Sequence, residues 1–139
     1  MKIIFLFSLF LSLTWANHIF WYGDYDKAFM EARKEQKPLM VLLVTKDSPQ
    51  CKIVVKNAFM DNRFVDILNK NVISVIVTFG SMASYPREMY YTTVFPALFF
   101  TDYKDETFLT KQICGNISKK DIEKLIKEIH IFSSKKLKN

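Results

Sequence analysis

The chain has 139 residues, half of them hydrophobic, and a formal net charge of +6 from 20 Lys and Arg against 14 Asp and Glu. That length allows one domain with a real core, and no internal repeat, low-complexity segment or linker points to a second. Two cysteines, with His18 and His130 far apart and without ligand spacing, argue against a structural zinc site, and no motif argues for nucleic-acid binding.

Residues 1–16 read as a signal peptide. Met1-Lys2 is a minimal basic n-region, Ile3 to Leu13 an apolar h-region, and Thr14-Trp15-Ala16 a small-x-small cleavage site. The apolar run is too short to span a hydrocarbon layer of roughly 30 Å, so export without a stable membrane anchor is expected. The domain then covers residues 17–132, and residues 133–139 form a basic tail, read as solvated and frayed.

Asp24-Tyr25-Asp26 precedes a helical pattern over Lys27–Lys37, with Ala28, Phe29 and Ala32 on one face and Pro38 as the stop. Leu39 to Val44 is apolar without interruption, as in a strand covered on both faces. Ser48-Pro49 fits a helix start, Ser as N-cap and Pro at the first helical position, with the helix running through Ile53 and Val54. Asp61 is placed to cap a further helix bearing Phe64, Val65, Ile67 and Leu68. Val72 to Thr78, rich in β-branched residues, reads as a second buried strand.

Phe79 to Thr93 is irregular, with a short helix expected over Arg87–Tyr91. Pro96 to Phe100 reads as a strand, Asp102 to Glu106 as a turn, and Thr107 to Cys114 as a strand of weaker pattern that ends at Gly115. Ser118 with Asp121 approximates a capping box for a last helix, whose Ile122, Leu125, Ile126 and Ile129 form a core-facing stripe. Alternating elements in the first half favour parallel pairing and the tight turn favours an antiparallel pair. The expected class is α/β, a mixed central sheet with helices on both faces.

One stretch carries chemistry. TKDSPQCK, residues 45–52, joins the apolar strand to a helix, and with Cys at position 48 it would be a redox dithiol; the residue is Ser48. Cys51 is then a working single thiol or a small apolar residue behind a capped helix start. The helix N-terminus favours its thiolate and burial opposes it, a balance the sequence leaves open. Asn116-Ile117-Ser118 matches a glycosylation triplet, which is common by chance.

From Trp21 to Ile129 the chain resembles the secreted thioredoxin-like proteins. The resemblance rests on the Asp-Tyr-x-x-Ala-x-x-x-Ala helix ending at Lys37-Pro38, the strand into TKDSPQCK, Phe59-Met60-Asp61 with Val65 and Leu68, the strand around Val75, Phe95-Pro96-Ala97, and Gly115. It implies a thioredoxin fold, with Pro96 as a cis-proline beside the motif and Phe95 presenting a backbone edge to extended substrates. The family's first motif cysteine aligns with Ser48, its usual Trp with Asp47, and its buried acid with Leu42. A general-base candidate and one of two thiols are therefore missing, and dithiol reduction is not expected.

The function expected is monothiol exchange or client-cysteine binding through Cys51 by an exported protein. Ser48 and Pro49 would frame the helix start and Phe95 and Pro96 the substrate edge. Cys114 is a candidate second thiol, able to pair with Cys51 only if their Cα atoms approach within about 7 Å. No cofactor or metal is implied, and the partners would be exported proteins offering cysteines or extended segments. The alternative is a non-catalytic binding or chaperone-like module. Tyr85, Tyr90, Tyr91 and Phe95 either form a binding surface for extended chains or fill the core, the second being favoured.

Overall fold

The computed structural model describes residues 17–138, and the leader expected over residues 1–16 lies outside them. The elements follow as β1 (Trp21–Tyr22), α1 (Tyr25–Glu35), β2 (Leu39–Thr45), α2 (Pro49–Ala58), α3 (Asn62–Asn71), β3 (Ile73–Phe79), β4 (Ala97–Thr101), β5 (Ile113–Cys114) and α4 (Lys119–Lys136). They build one mixed sheet in the order β1-β3-β2-β4-β5. β3 runs parallel to both β1 and β2, whereas β4 is antiparallel to β2 and to β5.

The unbroken apolar run in β2 reflects this placement. Its side chains alternate between two faces, and both faces are covered. Met40, Leu42 and Val44, with Leu98 and Phe100, pack against apolar residues of α2, α3 and α4. Leu39, Val41 and Leu43, with Val75, Val77, Ala97 and Phe99, pack against Tyr25, Ala28 and Ala32 of α1 and against Tyr85, Tyr90 and Tyr103. Ala28 and Ala32 are fully buried, so their small side chains let α1 sit close to the sheet.

Several local features differ from what the sequence leads one to expect. Residues 87–89 form only turns, with the Met89 and Tyr90 N–H groups both donating to Pro86 O. The Tyr90 ring is drawn into the core, where its hydroxyl meets that of Tyr25 at 2.8 Å and Tyr25 donates to Glu106 at 3.0 Å. That buried contact outweighs a helix too short to sustain itself. The weak strand over 107–114 is interrupted: Phe108 makes a single bridge to Thr101, and only Ile113–Cys114 pair with β4. Its alternation was too weak to hold every residue against β4. Two-residue β1 carries no period-2 pattern and was not anticipated.

α4 continues to Lys136, into the segment set apart as a basic tail. There the Lys136 ammonium donates to Gln36 O at 2.8 Å and lies 5.2 Å from the Tyr103 ring centroid. Gln36 is the left-handed C-cap of α1, so a carbonyl left over at one helix end receives a charge from another.

Each helix starts on an oxygen-bearing N-cap: Asp24 accepts from Lys27 N–H, Ser48 from Cys51 N–H, Asp61 from Arg63 N–H and Ser118 from Asp121 N–H. Such a cap satisfies one of the donors a helix start leaves open. At Ser118 the Asp121 carboxylate accepts in return, completing a capping box. Asp61 does more: it also binds the Arg63 guanidinium at 2.8 Å and Lys119, at the start of α4, at 3.2 Å.

Two predictions follow from these caps. Ser48→Ala lowers thermal and urea stability by about 1 kcal/mol, while Ser48→Asp, which keeps an acceptor, stays near wild type; equal melting of all three would remove the cap from the account. The Arg63 guanidinium and N–H, aided by Lys119, hold the Asp61 carboxyl well below the usual carboxylate range. A carboxyl depressed in the folded chain stabilises it above pH about 4, and that contribution is lost as the pH falls further. Urea midpoints of wild type therefore drop more steeply from neutral to acid pH than those of Asp61→Asn.

Candidate functional site

β2 ends at Thr45, and the chain turns through Asp47, whose φ of 59° is left-handed, before Ser48 caps α2 and Pro49 opens it. Asp tolerates that conformation better than most residues. The turn delivers Cys51 into the first turn of α2, where its N–H donates to Ser48 Oγ at 3.3 Å. The Cys51 side chain faces inward, 4% exposed, within the core on the Met40, Leu42 and Val44 face of the sheet. Its sulfur lies 4.0 Å from Thr45 Oγ1, a long contact.

Thr45 was not singled out from sequence. The available signal was weak: it is the first hydroxyl after an apolar strand, six residues before the cysteine. Leu42, where the family's buried acid aligns, is fully buried and opposite Ile76 in the β2–β3 ladder. No carboxylate therefore stands at that point, and the thiol's side-chain contact there is with the Thr45 hydroxyl.

Cys51 also lines an open groove of about 500 Å³ between α2, the end of β2 and Ile76 of β3. Val44, Val55, Met60 and Ile76 supply its apolar surface, and Asp47, Lys52 and Lys56 its charged margin. No local pattern joins these groove residues, because they come from β2, α2, β3 and the loops on either side of α2.

Cys114 is placed differently. In β5 it sits opposite Ala97, so its side chain shares a face with Ala97 and Leu43, and it packs against the core on the α1 side. The sheet therefore separates the directions of the two sulfurs. Both cysteines are free, and the structure does not bring them together as a pair. Thr92, which donates its hydroxyl to Val94 O at 2.9 Å, accepts from the Cys114 thiol at 3.6 Å.

The Phe95–Pro96 peptide bond is cis. Pro96 O accepts from Gly115 N–H at 2.8 Å, which joins this loop to the end of β5. Gly115 has a φ of 79°, and a Cβ there would come within 3.3 Å of Val94 Cγ1, so both the conformation and the close approach call for glycine. Phe95 is half-buried, packs against both cores and meets the Phe79 ring at 5.1 Å. The aromatic segment before it divides: Tyr85 and Tyr90 are core residues, while Tyr91 is 71% exposed.

Among the described residues no cluster of three or more His, Cys, Asp or Glu is disposed to hold a metal ion, and no helix is long and apolar enough to cross a membrane.

Comparison with known proteins agrees with this geometry. No curated protein matches the chain in sequence. Among solved structures, a thioredoxin from Thermus thermophilus superposes with a TM-score of 0.68 at 16% identity, over 82% of this chain and 88% of its own. DsbH, an oxidoreductase, gives 0.65 at 18% identity over 83% and 87% of the two chains. The C-terminal domain of Neisseria meningitidis DsbD, in its oxidised form, gives 0.59 at 16% identity over 78% and 99%. At these identities the likeness establishes the fold. A family model described as thioredoxin-like matches residues 20–102, more than half of the sequence. The chain belongs to the thioredoxin-like family.

Proposed function

We propose that this protein is an exported thiol-disulfide exchange protein that works through Cys51 alone. The observation that carries the reading is the position of Cys51, in the first turn of α2 and in the wall of an open groove, with Ser48 at the other motif position. Export is supported by the N-terminal pattern of residues 1–16. The substrate edge would be Phe95 and Pro96.

The electron count narrows the chemistry. A reduced Cys51 and a free client thiol cannot join without an oxidant, so the client must arrive as a disulfide. The Cys51 thiolate attacks one client sulfur, the client S–S bond breaks, and the second client sulfur leaves as a thiolate that takes up the proton Cys51 gave up. Cys51 is now in a mixed disulfide. A dithiol protein would resolve it from the neighbouring position, but the Ser48 hydroxyl forms no disulfide. Release therefore needs a client thiol, returning the client with a rearranged disulfide, or two external thiols, which leave the client reduced and Cys51 free and depart as their own disulfide. In the first route no net oxidation or reduction occurs, which is isomerase-type exchange.

A second reading, a binding module without redox chemistry, draws on the near-complete burial of the Cys51 side chain. Insulin reduction and mixed-disulfide trapping separate the two. Wild type is expected to reduce insulin slowly, and Ser48→Cys to accelerate it roughly tenfold or more by supplying the resolving thiol. A wild type as fast as Ser48→Cys would refute the single-thiol account. Trapping of a disulfide-bearing client is lost in Cys51→Ala; client binding that persists undiminished in that variant supports the module.

A further inference from the structure

The groove beside Cys51 has a composition that exchange alone does not require. Its apolar surface is aliphatic and thioether carbon from Val44, Val55, Met60 and Ile76, and Leu42 lies directly opposite Ile76 in the sheet. No charge stands on that surface to hold water there. At its margin Lys52 and Lys56 are four residues apart on α2, hence on one helix face and about 6 Å apart along the axis. Both are exposed, and neither makes an ion pair with a described residue. Two like charges at this spacing repel, and an anion between them would be favoured. Asp47, the one acid on the margin, lies in the turn before α2, next to Ser48.

We propose that this groove selects the client sequence around the attacked disulfide. It accepts an aliphatic side chain two residues from the client cysteine, and Lys52 with Lys56 accept an acidic residue two positions further along, on the same face of the client. The inference rests on exchange through Cys51 and names the class of client for that step. In an extended segment, residues two apart point the same way and lie about 6.6 Å apart. A client sulfur at Cys51 therefore directs the side chain two positions away into the same groove. Burial of that side chain favours association, and the lysine pair favours an acidic residue beyond it over a basic one.

The test uses capped peptides whose single cysteine carries a 2-thiopyridyl disulfide, with Leu or Ser two residues to either side and Glu or Lys two residues beyond that. Thiopyridone release by the full protein is divided by the rate with N-acetylcysteine, which cancels intrinsic reactivity. The Leu peptides are expected to react about tenfold faster than the Ser peptides. Glu is expected to exceed Lys by about threefold at low salt, with the gap closing as salt rises. Val55→Trp, which fills the groove, and Met60→Glu, at a position already 60% exposed, should each remove most of the Leu advantage. Lys52→Glu with Lys56→Glu should reverse the charge order. Normalised rates that are equal across the peptides would overturn groove selection while leaving exchange intact. Rates no higher than those of Cys51→Ala would refute exchange at Cys51, and the client class with it.

Discussion

The structure depends on the two-sided pairing of β2. This strand is hydrogen-bonded to parallel β3 on one edge and antiparallel β4 on the other, and both of its faces are covered. A slip of one residue would exchange the two sets of side chains between faces, so the register is tightly specified. Everything attached to the strand inherits that choice. The turn after Thr45 starts from a fixed point, α2 begins on a fixed side, and Cys51 enters the core on the Met40, Leu42 and Val44 face. Through Leu43 and Ala97 the same register sends Cys114 to the other face.

The chemistry of the site follows from that division. With one thiol at the start of α2 and the other turned toward the opposite core, the scaffold holds no ready dithiol. The surroundings of Cys51 are a threonine hydroxyl at long range, an apolar pair at Leu42 and Ile76 on the neighbouring strands, and its own N–H committed to the Ser48 cap. Ser48 thus has a clear structural role as the N-cap of α2, and it leaves Cys51 as the only cysteine of the motif. The loop before Pro96 is meanwhile held in place by Gly115 and Thr92, so Phe95 and Pro96 stand on anchored backbone.

Elsewhere the domain is closed by contacts between helix ends and side chains from other elements. Asp61 joins the start of α3 to the start of α4, and Lys136 joins the end of α4 to the end of α1. The Tyr25–Tyr90–Glu106 hydroxyl network ties the irregular loop and the turn before Thr107 to α1. Among the described residues no buried side-chain nitrogen or oxygen is left without a partner.

The sequence by itself determined the features that are local. Continuous apolarity marked the buried strands, and Ser48-Pro49, Asp61 and Ser118 marked three helix starts, because caps and strand patterns act over a few residues. The absence of a cysteine at position 48 was equally plain. What only the tertiary structure decided is what depends on distant partners. The groove lined by Val44, Val55, Met60 and Ile76, the separate faces of Cys51 and Cys114, and the turn at 87–89 each need elements far apart in the chain to meet. The helix expected at 87–91 yielded because a tyrosine pulled into a distant core contributes more than a single helical turn. The end of α4 persists for a like reason: Lys136 finds a carbonyl one hundred residues away, a contact that no local pattern encodes.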